Sequence, residues 1–382
     1  MTVTEIVDYL ANDEENKYPT ANDKLEVLYN TLPPRLREDG RKIEKYSLFD
    51  WGQPSAKDVS RALNSLAQWV KGETKAVTTG PASPDSRAKL IRDIRDYMAT
   101  TRHPAFHDID PGVYAIQLAL RVRRPRSIDQ GATGLCGAVS AAYTFAKTRP
   151  AEYMKFGLDL FFDGRAKFGQ LQVAPSQKIK SNYSLRKDKI PWAVDYVVLV
   201  SLRECTFTSD AIGIDLIRGA DETVLPGRLA QWLRDAGYKN VEDHTFFGKN
   251  QQAVVSAFAA QIGQPVHFGN ATGDALAKQN RLKNAKTNLA SASQAFAMGK
   301  MVFLFSDGEI GHKLAAGISG AMTEQRGPTG LGDHHWMAVK KLTIPASNVV
   351  TLKAVTWGKS LEGSYDLDAF VSRYNGYLVA DA

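Results

Sequence analysis

Cysteine is scarce in this chain: Cys136 and Cys205 are the only two in 382 residues. That is too few for a disulfide framework, and a reducing compartment is the simpler expectation. Long apolar runs are missing too. None approaches the roughly 20 residues that a membrane-spanning helix needs, so a membrane span is not expected. The opening stretch MTVTEIVDYLANDEENKY is acidic and broken by polar residues, where a secretory signal would be basic and then apolar. The expected location is the cytoplasm of the producing cell, with export by a signal-less secretion system as the other route. The GNAT acceptor for N-glycosylation, Gly269 to Thr272, matters only on a secretory route. Histidine and cysteine nowhere adopt zinc-finger spacing. HFGNATGDALAKQN is not followed by Gly-Lys-Ser/Thr, and the glycines of a dinucleotide fingerprint are absent. Neither a metal nor a cofactor is therefore expected. No Gly-x-Ser-x-Gly elbow surrounds Ser306, which sets aside a serine hydrolase built on Ser306 and His312. Repeats, heptads and low-complexity tracts are also missing.

What remains is an ordinary globular composition, 43% apolar and 23% charged, in a chain long enough for two domains or for one large domain with an accessory segment. The formal net charge of +7 favours acidic partners at long range. Its densest basic run, LRVRRPRS with Arg121, Arg123, Arg124 and Arg126, contains no aromatic on which a base could stack. It reads as a solvated basic strand or loop, and nucleic-acid or anionic-lipid contact is the lesser reading.

The chain divides near residue 108. Residues 1–108 read as a helical region: AKDVSRALNSLAQWVKG repeats apolar residues at Val59, Leu63, Leu66 and Val70, and SPDSRAKLIRDIRDYMAT does so at Leu90, Ile91, Ile94 and Tyr97. Ser83 or Asp85 is the expected cap of the second helix. Over 109–382, GVYAIQLALRVR alternates like a strand. Helical runs follow around Cys136, in AEYMKFGLDLFFDG, GRLAQWLRDAGY, NQQAVVSAFAAQIG and ASASQAFAMGK. Strands MVFLFSD, HWMAVKKLTI and VVTLKAVTW come last. Helices first and strands later predict an α+β fold rather than alternating βαβ units.

The stretch RSIDQGATGLCGAVSAAYTF carries the chemistry. A cysteine in the first turn of a helix sits among unpaired amide donors and the positive end of the helix dipole, which favour thiolate over thiol. Gly131 and Gly134 allow a sharp turn ahead of Cys136, and Gly137 leaves the next position open. Gln130 can bring its side-chain amide beside the Cys136 backbone amide, and two donors converging on one point form an oxyanion hole. The competing reading is a small apolar residue in a core. A thiolate catalyst also needs a histidine to take and return the proton. Of the seven histidines, His103, His107, His244, His267 and His312 lack a suitable setting, whereas GLGDHHWMAVKKL delivers His334 and His335 to the start of an apolar strand.

The glutamine, the loop of small residues, the cysteine and the apolar helix together resemble the nucleophile region of papain-like cysteine peptidases. His335 followed by WMAV is similar to the family's histidine strand, as in bacterial branches with His-Trp and aliphatics. Trp357-Gly358 stands where the family has its Trp-Gly, but Thr356 precedes it in place of the usual Asn. Asp366, Asp368 and Asp333 are the other candidate orienters. The tail SYDLDAFVSRYNGYLVA also looks like that of bacterial members. The resemblance implies a papain-like α+β fold, with a helical half carrying Cys136 and an antiparallel, barrel-like half carrying His335. It implies a cysteine peptidase acting on protein or peptide through Cys136, His335, Gln130 and Thr356, with residues 1–108 as a pro-region, targeting or accessory module. A deamidase or acyltransferase with the same thiol chemistry, and a catalytically silent binding module, are the alternatives.

Overall fold

Ser83 opens the first long helix. Its Oγ accepts a hydrogen bond from Ser86 N at 3.2 Å, which supplies one of the orphan donors of a helix start, and Pro84 occupies the first turn of α1, Pro84–Met98. The computed structural model describes residues 59–60, 63–64, 67, 83–98, 103–131, 133–185, 190, 192–205, 224–246, 275–315, 334–345, 348–356 and 358–381. The predicted helix in NQQAVVSAFAAQIG, the GNAT acceptor, His267, Asp333 and Trp357 lie outside them, as do the side chains of His312 and His334. Val59, Leu63 and Ala67 are buried in one core with Ala88, Ile91 and Ile94 of α1 and with the helices that follow.

The predicted strand at GVYAIQLALRVR is instead helix α2, Pro111–Arg123. Asp110 caps it, accepting from Val113 N at 2.9 Å, and Pro111 begins it. Every residue from Tyr114 to Arg123 is buried, so no polar face marks the helical period, and apolar alternation alone cannot separate a strand from a helix buried all round. The basic run is corrected with it. Arg121 is 2% exposed and Arg123 is buried, so this half of the run is not a solvated surface.

Helices α3, Cys136–Thr148, and α4, Pro150–Asp163, follow, with Arg149 between them. A small hairpin pairs β1, Ala166–Phe168, with β2, Leu171–Val173. An apolar helical run then passes from Ala193–Asp195 through a π-helical Tyr196–Val200 to Ser201–Glu204. Helix α5, Pro226–Asp235, leads into β3, Lys239–Asp243. The chain continues with α6, Ala275–Ala297, β4, Met301–Asp307, α7, Gly308–Ala315, β5, His334–Thr343, and β6, Val349–Thr356. It closes with β7, Lys359–Asp366, α8, Leu367–Ser372, and β8, Tyr374–Asp381.

Six strands form one antiparallel sheet in the order β3-β8-β4-β5-β6-β7. The fold is mixed α+β, as predicted, but the strand half is an open sheet with β3 and β7 at its edges and not a barrel. Alternation sends successive side chains to opposite faces. Phe303, Phe305, Trp336, Ala338 and Val355 pack into the core shared with α2, α3 and α4. Val302, Leu304, Met337, Leu352 and Ala354 pack on the other side with Leu289 and Ala292 of α6. A bulge interrupts β5 and β6: Val339 pairs with Ala354, yet Lys341 pairs with Lys353, so Lys340 is an extra residue. Among the described residues no helix is long and apolar enough to cross a membrane.

Candidate functional site

Cys136 is the first residue of α3, and its N-cap neighbour Leu135 offers no side-chain oxygen to the helix start. The sulfur collects donors instead. The backbone N–H groups of Trp336 and Gly137 lie close enough to favour its thiolate, and Arg203 adds a nearby positive charge. Against these, burial pushes the thiol up to about 11. Cys136 is only 2% exposed. Val224, two residues before α5, packs on the neighbouring Gly137: a Cβ placed there would lie 2.5 Å from Val224 Cβ. Trp336 fixes that segment, its indole Nε1 donating to the Val224 carbonyl at 2.7 Å while its ring stacks on Phe305 at 4.5 Å. Gly137→Ala is therefore expected to destabilise the chain by about 1–3 kcal/mol, the usual cost of overpacking, as read from urea denaturation.

His335 lies one residue before Trp336 on β5, opposite Ser306 of β4. Its ring Nε2 is hydrogen-bonded to Thr356 Oγ1 at the end of β6. Both residues are buried. The threonine chosen for its place before Trp-Gly is thus bonded to the imidazole. The rival carboxylates are engaged elsewhere: Asp366 caps α8 by accepting from Ala369 N at 2.9 Å, and Asp368 pairs with Lys286. The β5 peptide is the common element. It carries on Trp336 a backbone N–H that favours the Cys136 thiolate, whereas alternation turns the neighbouring His335 side chain toward the face opposite the Trp336 ring, which packs in the core that holds Cys136.

Gln130 is 3% exposed. Its Nε2 donates to Thr133 O at 2.8 Å, and Thr133 Oγ1 donates back to Gln130 O at 2.7 Å. The Gln130 Oε1 is buried without a hydrogen-bond partner. One hydrogen of its amide therefore braces the loop that leads to Cys136, and the second is not accounted for by this bond. Gly131 turns the backbone with φ 59°, a left-handed value that suits glycine. Its N–H donates to Asp129 Oδ1 at 2.9 Å.

Behind this loop stands an ion pair that the sequence reading did not find. Arg121 grips Asp195 with two bonds, Nε to Oδ1 at 2.9 Å and Nη2 to Oδ2 at 2.6 Å, with the guanidinium 4.7 Å from the Trp192 ring centroid. Burial works against the Arg121 charge, but the Asp195 carboxylate outweighs it and holds the guanidinium above its ordinary value. Asp195 Oδ2 also accepts from Asp129 N at 3.0 Å, so the pair reaches the residue next to Gln130. The signal was there: an aspartate inside AVDYVVLVSL must find a partner if that run is buried.

Among the described residues no group of three or more His, Cys, Asp or Glu is placed to hold a metal ion. Comparison with protein-family models, with curated proteins and with solved structures finds no match to this chain.

Proposed function

We propose that the chain is a cysteine hydrolase of papain-like type that cleaves peptide bonds. The observation that carries this reading is the closeness of the Trp336 N–H to the Cys136 sulfur, near enough to favour its thiolate. It ties the start of α3 to the residue beside His335, about 200 positions later in the sequence. With Nε2 engaged by Thr356 and His335 on the face opposite Trp336, the cycle requires the imidazole to turn Nδ1 toward the thiol. In the cycle, that proton passes to His335 and the thiolate attacks the substrate carbonyl carbon. The Cys136 N–H and the Gln130 amide hold the oxyanion. Collapse breaks the C–N bond, and the imidazolium protonates the departing amine. Water then gives a proton to His335 and attacks the thioester, which releases the acid and returns the proton to sulfur.

A second reading is a catalytically silent module of the same architecture, favoured by the burial of Cys136 and the upward shift of its thiol. Peptide hydrolysis separates the two. The full chain is incubated with a proteome-derived peptide library and new termini are identified by mass spectrometry. Hydrolysis that falls at least about 10³-fold in both Cys136→Ala and His335→Ala is expected. A wild-type chain that cleaves nothing, or cleavage that survives Cys136→Ala, overturns the hydrolase.

A further inference from the structure

A second concentration of charge lies away from Cys136, and it does not depend on the hydrolase reading. The bulge at Lys340 changes the parity of β5. Met337 and Val339 face the α6 core before it, and Leu342 faces that same core after it. Lys340 and Lys341 therefore both turn from that core, toward the side on which α3 packs. Lys353 of β6 pairs with Lys341 across the strands. Lys147 comes from the last turn of α3, with its ammonium 5.9 Å from the Tyr143 ring centroid. Arg126 lies close enough to act electrostatically on both Tyr143 and Lys340.

Glu362 is the carboxylate paired here, bridging Lys341 at 3.1 Å and Lys353 at 3.4 Å. Among the described residues, Lys341 and Lys353 share this one carboxylate, and Lys147 and Lys340 add to the same excess of positive charge. Lys340 has the worst position: burial first, then Arg126, Lys353 and Lys147, bring its ammonium down to about 8. Like charges held together on a half-buried strand cost folding energy unless something neutralises them. Lys147 stands eleven residues along α3 from Cys136, or roughly 16 Å at the helical rise.

We propose that Lys147, Lys340, Lys341, Lys353 and Arg126 form a binding site for a compact anion bearing several phosphate charges. The cations come from α3, the short helix Pro125–Ser127, β5 and β6, and they converge on Lys340 instead of running as a stripe. Tyr143 is buried and capped by Lys147, so it offers no platform for base stacking. Both features favour a small multivalent anion over a nucleic-acid strand.

Titration of the full chain with sodium tripolyphosphate, by calorimetry and by thermal unfolding, tests the site. Binding is expected, with Kd weakened at least about 10-fold in Lys340→Gln and in Lys353→Gln, and weakened further as salt is raised. Lys89→Gln, which breaks an exposed pair with Asp93 on α1, should leave Kd unchanged. Without the anion, Lys340→Gln should raise Tm, because a repelled charge is gone. Absence of binding overturns the proposal, and so does equal weakening by Lys89→Gln, which would mean diffuse attraction. A single-stranded oligonucleotide that binds more tightly than tripolyphosphate, with the same dependence on Lys340, would replace the compact site with a nucleic-acid surface.

Discussion

Arg121→Leu is expected to cost the fold about 3–5 kcal/mol, the usual penalty for stripping one partner from a buried ion pair. Asp195 is 0% exposed, and after the substitution its carboxylate would keep only the Asp129 N–H of the contacts described here. An ionised group left that way is far more expensive than a lost hydrogen bond. The double variant Arg121→Leu/Asp195→Leu should recover at least half of the loss, since removing both charges together leaves nothing uncompensated. Urea denaturation reads both. A single-variant loss under about 1 kcal/mol, the range of exposed pairs, would mean that water reaches the pair and that it does not anchor the loop before Cys136.

Val224→Gly, made in a Cys205→Ser background, should speed alkylation of Cys136 by up to about 100-fold near pH 7, where only the thiolate fraction reacts. The reasoning rests on the causes of the thiol's shift from 9.0 to about 11: burial alone raises it, while the Trp336 and Gly137 N–H groups, Arg203 and the Cys136 backbone all lower it. Thinning the packing on Gly137, next to Cys136, lessens the raising cause and leaves the others. In the parent the rate should climb about tenfold per pH unit until it levels near the thiol's own value. Adding His335→Ala should then cancel most of the gain if imidazolium and thiolate pair once the sulfur is uncovered. A rate indifferent to His335→Ala would leave sulfur and imidazole as separate groups, and the silent module would stand.

Local features around Cys136 and His335 were more legible than the scaffold that carries them. The Gln130 to Cys136 spacing placed the cysteine at a helix start, and the choice of His335 and Thr356 named two residues that the fold joins by a hydrogen bond. Such features are local: a helix start, a strand start and a strand end each leave their own mark. Two kinds of feature left none. The helix at Pro111–Arg123 is buried on every side, and a pattern without a wet face carries no period to read. The Arg121–Asp195 pair joins residues 74 positions apart, and a charge in sequence does not announce its partner. The contact beside Cys136 was equally hidden, because Val224 meets Gly137 only through tertiary packing. The open sheet replaced the expected barrel for a similar reason. Strand number and alternation are written in the chain, but whether the outer strands meet depends on what packs against them.

The turn at Gly358 adopts φ 69°, and a Cβ there would lie 3.0 Å from Asp129 Cβ. Gly358 stands two residues after Thr356, whose hydroxyl is bonded to His335, while Asp129 directly precedes Gln130 and is tethered by its amide to Asp195. The strand end that supports the imidazole and the glutamine loop therefore meet closely at Gly358 and Asp129. A side chain at position 358 would press on Asp129 and, through its amide, on the buried Asp195, so a single turn residue couples the sheet to the helical layer.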